Sequence, residues 1–272
     1  MTMFKLFITS LLTLTFTLPV LAHSGPDHAH EESDASLAES TDKSTPETSG
    51  KRTFPGKGKA PHLPLSAYKP GEMLGWKLHV DEQLIADEAL YEDVMAELRH
   101  QLYLVVKAVP EDKVEWLQTV PIWIELNNPY HSSAQYHPNK EWLKGHGYHP
   151  EKVNAVEISN ARNFIRNWAH HDANTMLHEL AHAYHDLKLG FDRPDVEAAY
   201  DKAMADGSYE KVQSIGGRVT RHYAATDHKE YFAEATEAFF GCNDYYPFVR
   251  PELKAHDPAI YDIIKEVWGV KR

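Results

Sequence analysis

Residues 178–182 read His178-Glu179-Leu180-Ala181-His182. On an α-helix, positions four apart lie about 40° from each other and one turn along. Both imidazoles then reach one metal ion from a single face, and Glu179 projects beside them, where it can polarise a water. The chemistry such a layout supports is zinc-assisted hydrolysis. With 18 His among 272 residues, the pentapeptide arises by chance on the order of once in ten such chains. Its surroundings therefore matter. Asp172, Asn174 and Thr175 are capping types. Met176, Leu177, Leu180, Ala181 and Tyr184 recur at helical spacing, Lys188 suits a last turn, and Gly190 is a natural stop. A helix over 174–189 is predicted. The competing reading is an amphipathic helix with surface histidines. Setting two histidines and an acid among apolar neighbours is costly without a task.

A catalytic zinc takes three protein donors and keeps one open position. The extended pattern with Gly at 185 and His at 188 is not met, because His185 and Lys188 stand there. His185 would lie about 10 Å along the helix axis from His178, too far to share an ion. Further on, Glu230, Glu234 and Glu237 fall at i, i+4 and i+7 within a run rich in Phe, Tyr and Ala. A carboxylate of this stripe is a better third donor, since buried acids need partners. Asp227-x-x-Glu230 also matches a capping box, in which Glu230 would turn back to the backbone. Spacing alone leaves both roles open.

The pair His178-Glu179-x-x-His182 and Tyr223-x6-Glu230-Tyr231-Phe232-Ala233-Glu234 resembles the catalytic domain of anthrax-lethal-factor-type zinc peptidases, gluzincin-like enzymes. The resemblance covers roughly residues 150–245 and does not extend upstream of about 120. It implies one Zn²⁺ held by His178, His182 and Glu230, with Tyr223 near the metal to assist the oxyanion or the leaving group. Glu179 would take a proton from the attacking water and pass it to the departing amine. His228 is a second choice for the oxyanion donor. Glu234, one turn beyond Glu230, is placed to accept a bond from the distal nitrogen of a ligand histidine. The toxin's delivery mechanism and host substrate do not carry over; the chain is too short for those domains.

Other segments must position these residues. Residues 76–80 alternate as a strand, 82–108 keep a helical period, and 120–126 and 153–158 are β-rich. Residues 127–150, with Pro, Gly, Asn, Tyr and several histidines, are expected to form a long loop that could cover a cleft. Helices are predicted near 161–168, 174–189, 194–205, 228–240 and 258–268. Strands first and helices after predict an α+β fold, zincin-like, with a small N-terminal mixed sheet packed on the motif helix and a helical C-terminal part. The strand at 153–158 reads either as an edge that pairs with an extended peptide, bringing Asn154 and Glu157 to its side chains, or as a plain buried strand; the spacing leaves both open.

Residues 1–22 read as a secretory signal: Lys5 is their only charge, an apolar run follows, and Val20-Leu21-Ala22 resembles a cleavage site. Its removal takes the formal charge from −12 to −13. Residues 23–70, first His-rich and acidic, then rich in Pro, Gly and Lys, read as a disordered tail, with the catalytic domain at 71–272. The acidic balance argues against nucleic acid, and no membrane anchor is expected after signal cleavage. One cysteine, Cys242, excludes an internal disulfide. The chain is thus expected to be secreted or periplasmic and to act on a peptide or protein substrate. The alternative class is a metal-buffering envelope protein with a non-catalytic zincin fold; a mere binding site has no need of Glu179.

Overall fold

The computed structural model describes residues 62–128, 134–168 and 174–271. The expected signal segment and residues 23–61 of the expected tail lie outside them. The remainder of that tail is structured. A 3₁₀ turn at Leu65–Ala67 leads into β1 (Tyr68–Met73), so ordered elements begin before the boundary expected at residue 71. β1 pairs antiparallel with β2 (Trp76–Asp81) through a two-residue turn, Leu74-Gly75, with φ of 48° and 89°. That left-handed pair suits the strand twist. A Cβ at Gly75 would lie 2.5 Å from the Gln118 amide, whose nitrogen donates to Leu74 O at 2.8 Å. Pro70 is tolerated because β1 is an edge strand.

Two helices follow, α1 (Glu82–Ala86) and α2 (Glu88–Ala108), where one helix over 82–108 was expected; the break falls at Asp87. Next come α3 (Glu111–Leu117), β3 (Ile122–Ile124), β4 (Ala134–Tyr136), α4 (Lys140–Gly145), a 3₁₀ turn at Pro150–Lys152, and β5 (Val156–Ile158). The sheet order is β1-β2-β3-β5-β4. β2, β3 and β5 run parallel, and β4 returns antiparallel to β5. The sheet is therefore small and mixed, and the whole is α+β, as the element order predicts.

The edge reading of 153–158 needs correction. β5 is interior, flanked by β3 and β4, because part of the 127–150 segment folds back as β4 and takes the edge. Asn154 is not in the strand. It sits in left-handed backbone (φ 58°), exposed, with its N–H donating to His137 O at 2.7 Å. Glu157 is fully buried and bonds to His137 and Lys152, so it is not open to a substrate.

One sheet face, with Leu78, Val80, Ile122, Ile124, Val156 and Ile158, joins the main core. The same core holds the α2 stripe Leu90, Val94, Leu98, Leu102 and Val105 and the apolar side of α6 (Thr175–Tyr184). The opposite face carries Tyr68, Trp123 and Ala155 around a buried charged cluster. There Lys152, 1 % exposed, lies between Glu125 and Glu157, and Tyr68 donates to Glu125.

α6 starts where α2 meets it. Asn174 accepts from Leu177 N at 2.9 Å and donates to Gln101 O at 3.1 Å; Gln101 Oε1 accepts from Met176 N at 2.9 Å. The helix closes with a π turn, His185–Leu189, and Gly190 at φ 81°. α7 (Pro194–Asp206), a small hairpin of β6 (Val212–Gln213) and β7 (Val219–Thr220), a 3₁₀ turn at Tyr223–Ala225, α8 (His228–Phe240), α9 (Arg250–His256) and α10 (Pro258–Val267) complete the chain. α8 lies against α6, and Tyr184 ties α6 to the C-terminal part through Val267 O at 3.0 Å and stacking on Trp268. No helix among the described residues is long and apolar enough to cross a membrane.

Candidate metal centre

Packing α6 against α8 brings together three residues predicted as metal ligands. His178 Nε2 lies 3.0 Å from Glu230 Oε2, His182 Nε2 lies 3.2 Å from the same oxygen, and the two nitrogens are 3.1 Å apart. Tetrahedral zinc with bonds of about 2.0–2.1 Å sets its donors roughly 3.3 Å from one another, so the three atoms fit one such ion. A single carboxylate oxygen faces two imidazole nitrogens that also face each other, and without an ion they are held by shared protons. One shared cation satisfies all three.

The local sequence explains the convergence. A turn of α6 puts His178 and His182 on one face. On α8 the cap is Asp227, whose Oδ1 accepts from Lys229 N at 2.8 Å and Glu230 N at 3.0 Å. The reciprocal half of the capping box is not made. The Glu230 side chain turns to the imidazoles instead.

Charge points the same way. Four carboxylates cluster here: Glu179, Glu230, Glu234 and Glu237. All but Glu230 are under one-tenth exposed, at 8, 6 and 4 % for Glu179, Glu234 and Glu237. The ion-pair partners of Glu230, Glu234 and Glu237 are imidazoles, those of His178, His182 and His222. Burial resists charge on Glu230, but its bonds to His178 and His182 outweigh that and hold the carboxyl well below the usual range. Burial likewise opposes charge on His178; the bond to Glu230 and the fields of Glu237, Glu179 and Glu234 overcome it and raise its pKa well above ordinary. Burial pushes Glu234 up to about 7 and also raises Glu237 well above the ordinary carboxylate value. The described residues thus gather four acids and two imidazoles, ligand types that a divalent cation takes.

Glu234 stands behind His178, with Oε1 3.5 Å from Nδ1. Glu237, the third acid of the stripe, shares this place at 3.7 Å. Both separations exceed a good hydrogen bond. Glu234 Oε2 is buried without a hydrogen-bond partner among the described residues.

Glu179 lies on α6 beside His178, and its Oε2 accepts from Tyr136 N at 2.7 Å. Tyr223 is 43 % exposed on the 3₁₀ turn that precedes α8, its ring 6.3 Å from that of His178. Partial desolvation and then the charges of Glu230, Glu179 and Glu234 raise its pKa, so it stays a donor. His228 is committed elsewhere. Its Nε2 donates to Phe191 O at 3.1 Å, and its ring neighbours are His185 and Tyr200. Asn154 lies in the turn before β5, with its N–H donating to His137 O.

His185 is fully buried against Phe232 and Phe191, with neither ring nitrogen hydrogen-bonded among the described residues. Burial lowers its pKa to about 3, which makes it a neutral core histidine. Among the described residues of the 127–150 segment, Tyr136 bonds to Glu179, while His137 bonds to Asn154 and Glu157. Trp142 and His146 stack on each other on α4, His149 caps the 3₁₀ turn, and His131 lies outside the described residues. Sequence reasoning missed Tyr136 because its contact with Glu179 runs through the backbone, which carries no side-chain signature. Glu237 was legible as the third acid of the stripe. Comparison with protein-family models, with curated proteins and with solved structures finds no match to this chain.

Proposed function

We propose that this chain is an exported zinc metallopeptidase of zincin-like, lethal-factor-type character, hydrolysing peptide bonds. The observation that carries the reading is the convergence of His178 Nε2, His182 Nε2 and Glu230 Oε2 within 3.2 Å, with the Glu179 carboxylate on the same helix. His178, His182 and Glu230 would hold one zinc ion, which supplies Lewis acidity to a carbonyl and makes water nucleophilic at neutral pH. Glu179 takes the proton of the attacking water and returns it to the departing amine, a role worth roughly 10²–10⁴-fold. Tyr223 donates to the developing oxyanion. Glu234 and Glu237 line the back of His178, where either would accept from Nδ1 once drawn closer by a bound ion. Edge strand β4, beside Glu179, would pair with an extended substrate through backbone groups other than the Tyr136 N–H, which Glu179 occupies.

Glu179→Gln tests this reading against metal buffering. Under the peptidase reading, zinc stoichiometry stays at the parent value while cleavage of a peptide library stops. Cleavage at the parent rate in the variant, or none by the zinc-loaded parent, contradicts it.

A further inference from the structure

Strand β4 meets the motif helix at one residue. Its neighbours in β4 and beyond turn inward: His137 N–H donates to Ala155 O at 3.0 Å, and His137 O accepts from Asn154 N at 2.7 Å. By the alternation of an antiparallel ladder, the Tyr136 N–H points out of the sheet edge. It ends on Glu179 Oε2 at 2.7 Å. The Tyr136 hydroxyl reaches Asp186 Oδ2 at 2.8 Å. Asp186 lies in the π turn that closes the same helix, about 10 Å along the axis from Glu179. Tyr136 thus touches α6 and its continuation at two points. From below, the strand is bolted by His137 Nε2 to Glu157 Oε2 at 2.6 Å, with Glu157 held in turn by Lys152. All four anchoring residues, Tyr136, His137, Glu157 and Lys152, are under one-tenth exposed.

We propose that Tyr136 and Asp186 are positioning residues that clamp strand β4 onto the motif helix and so fix the Glu179 carboxylate through the Tyr136 N–H. The clamp deepens the peptidase reading and rests on Glu179 being the base. A glutamate has three side-chain torsions. One charge-assisted bond from a rigid backbone donor removes much of that freedom. Holding a reacting group within a fraction of an ångström matters, since a misplacement of about 1 Å costs on the order of 10²-fold. The Tyr136–Asp186 bond keeps the donor there, because β4 has only three residues and no strand on its outer side.

The test uses the full zinc-loaded chain and four variants: Tyr136→Phe, Asp186→Ala, their combination, and Asp186→Asn, which keeps an oxygen acceptor. Two quantities are read: kcat and KM on the fastest-cut member of a fluorogenic peptide library, and amide exchange at Tyr136 by NMR. The clamp predicts that kcat falls roughly tenfold in Tyr136→Phe and in Asp186→Ala, with KM within about twofold. It predicts no further fall in the double variant and recovery of most of the rate in Asp186→Asn. Exchange at the Tyr136 amide should quicken about tenfold wherever kcat falls, with zinc content unchanged. Unchanged exchange in both single variants, unchanged kcat, or a rate loss matched by loss of zinc overturns the proposal. If the parent cleaves no library member while exchange follows the predicted pattern, the clamp on Glu179 stands and the peptidase reading falls.

Discussion

Replacing Glu230 by Gln separates the two roles that its spacing allows. Three donors meet at this centre, and Glu230 Oε2 is the oxygen among them, 3.0 and 3.2 Å from the two imidazole nitrogens. Protein zinc sites bind with about 10–16 kcal/mol at neutral pH; shared over three donors, one is worth roughly 3–5 kcal/mol. Zinc affinity should therefore fall by about two to four orders of magnitude. The fold should tolerate the change. Asp227 caps α8 through the backbone N–H of Glu230, which the substitution keeps, and the Glu230 side chain is 19 % exposed. Without added zinc the variant weakens the Glu230 bonds to His178 and His182, so the thermal midpoint should fall by the equivalent of roughly 1–3 kcal/mol while the fold is kept. The assay is competition with a chromogenic chelator for affinity, alongside a circular-dichroism melt. Zinc affinity within threefold of the parent, together with a loss of helix stability, would return Glu230 to a capping role and refute the coordination argued here.

Three other outcomes follow from the structure. Tyr223→Phe removes the oxyanion donor, and kcat should drop roughly 10²–10³-fold with zinc content unchanged; steady-state kinetics and metal analysis on the same sample check this. Lys152→Met leaves Glu125 and Glu157 buried without their cation, so urea melts should show a loss of about 3–5 kcal/mol; a loss under 1 kcal/mol would mean that the cluster is not the ion triad described. Burial pushes Glu97 up to about 7 from an ordinary value of 4.5, against its bond from Gln101. The folded state therefore holds this proton more tightly than the unfolded chain, and the contribution of Glu97 to stability falls as pH rises from about 4.5 to 7. Glu97→Gln should remove that slope and stabilise the protein above pH 7 by roughly 1–3 kcal/mol, with no gain below pH 4.5; denaturant melts across the range measure it.

The readable parts of the sequence were those whose signal is local. α8 falls at His228–Phe240, where the apolar period and Asp227 placed it, and α6 with its π turn spans the predicted stretch to Gly190. The histidine pair needs only a helical turn to converge. Glu230 was ambiguous because a capping box and a ligand share one spacing; only the packing of α8 on α6 turns its side chain to the imidazoles. The edge strand was illegible. β4 is three residues inside a segment of turn formers, and it is a strand because β5 offers it an open ladder. Without β4 in view, 153–158 could be read as an edge and Asn154 as a substrate contact. β1 was hidden by Pro70-Gly71, which an edge strand tolerates and a central one does not. Glu237 and Lys152 illustrate a further limit. Whether a charged residue is solvated or buried depends on what the rest of the chain lays over it, and periodicity does not report that.

The central claim is a metal held by two residues of one helix and one of another. Zinc K-edge anomalous diffraction from crystals of the zinc-loaded protein tests it directly. The account predicts a single strong peak about 2.0–2.1 Å from each of His178 Nε2, His182 Nε2 and Glu230 Oε2. A zinc peak that leaves Glu230 more than about 3 Å away, or no peak between α6 and α8 in crystals that bind zinc elsewhere, would contradict it.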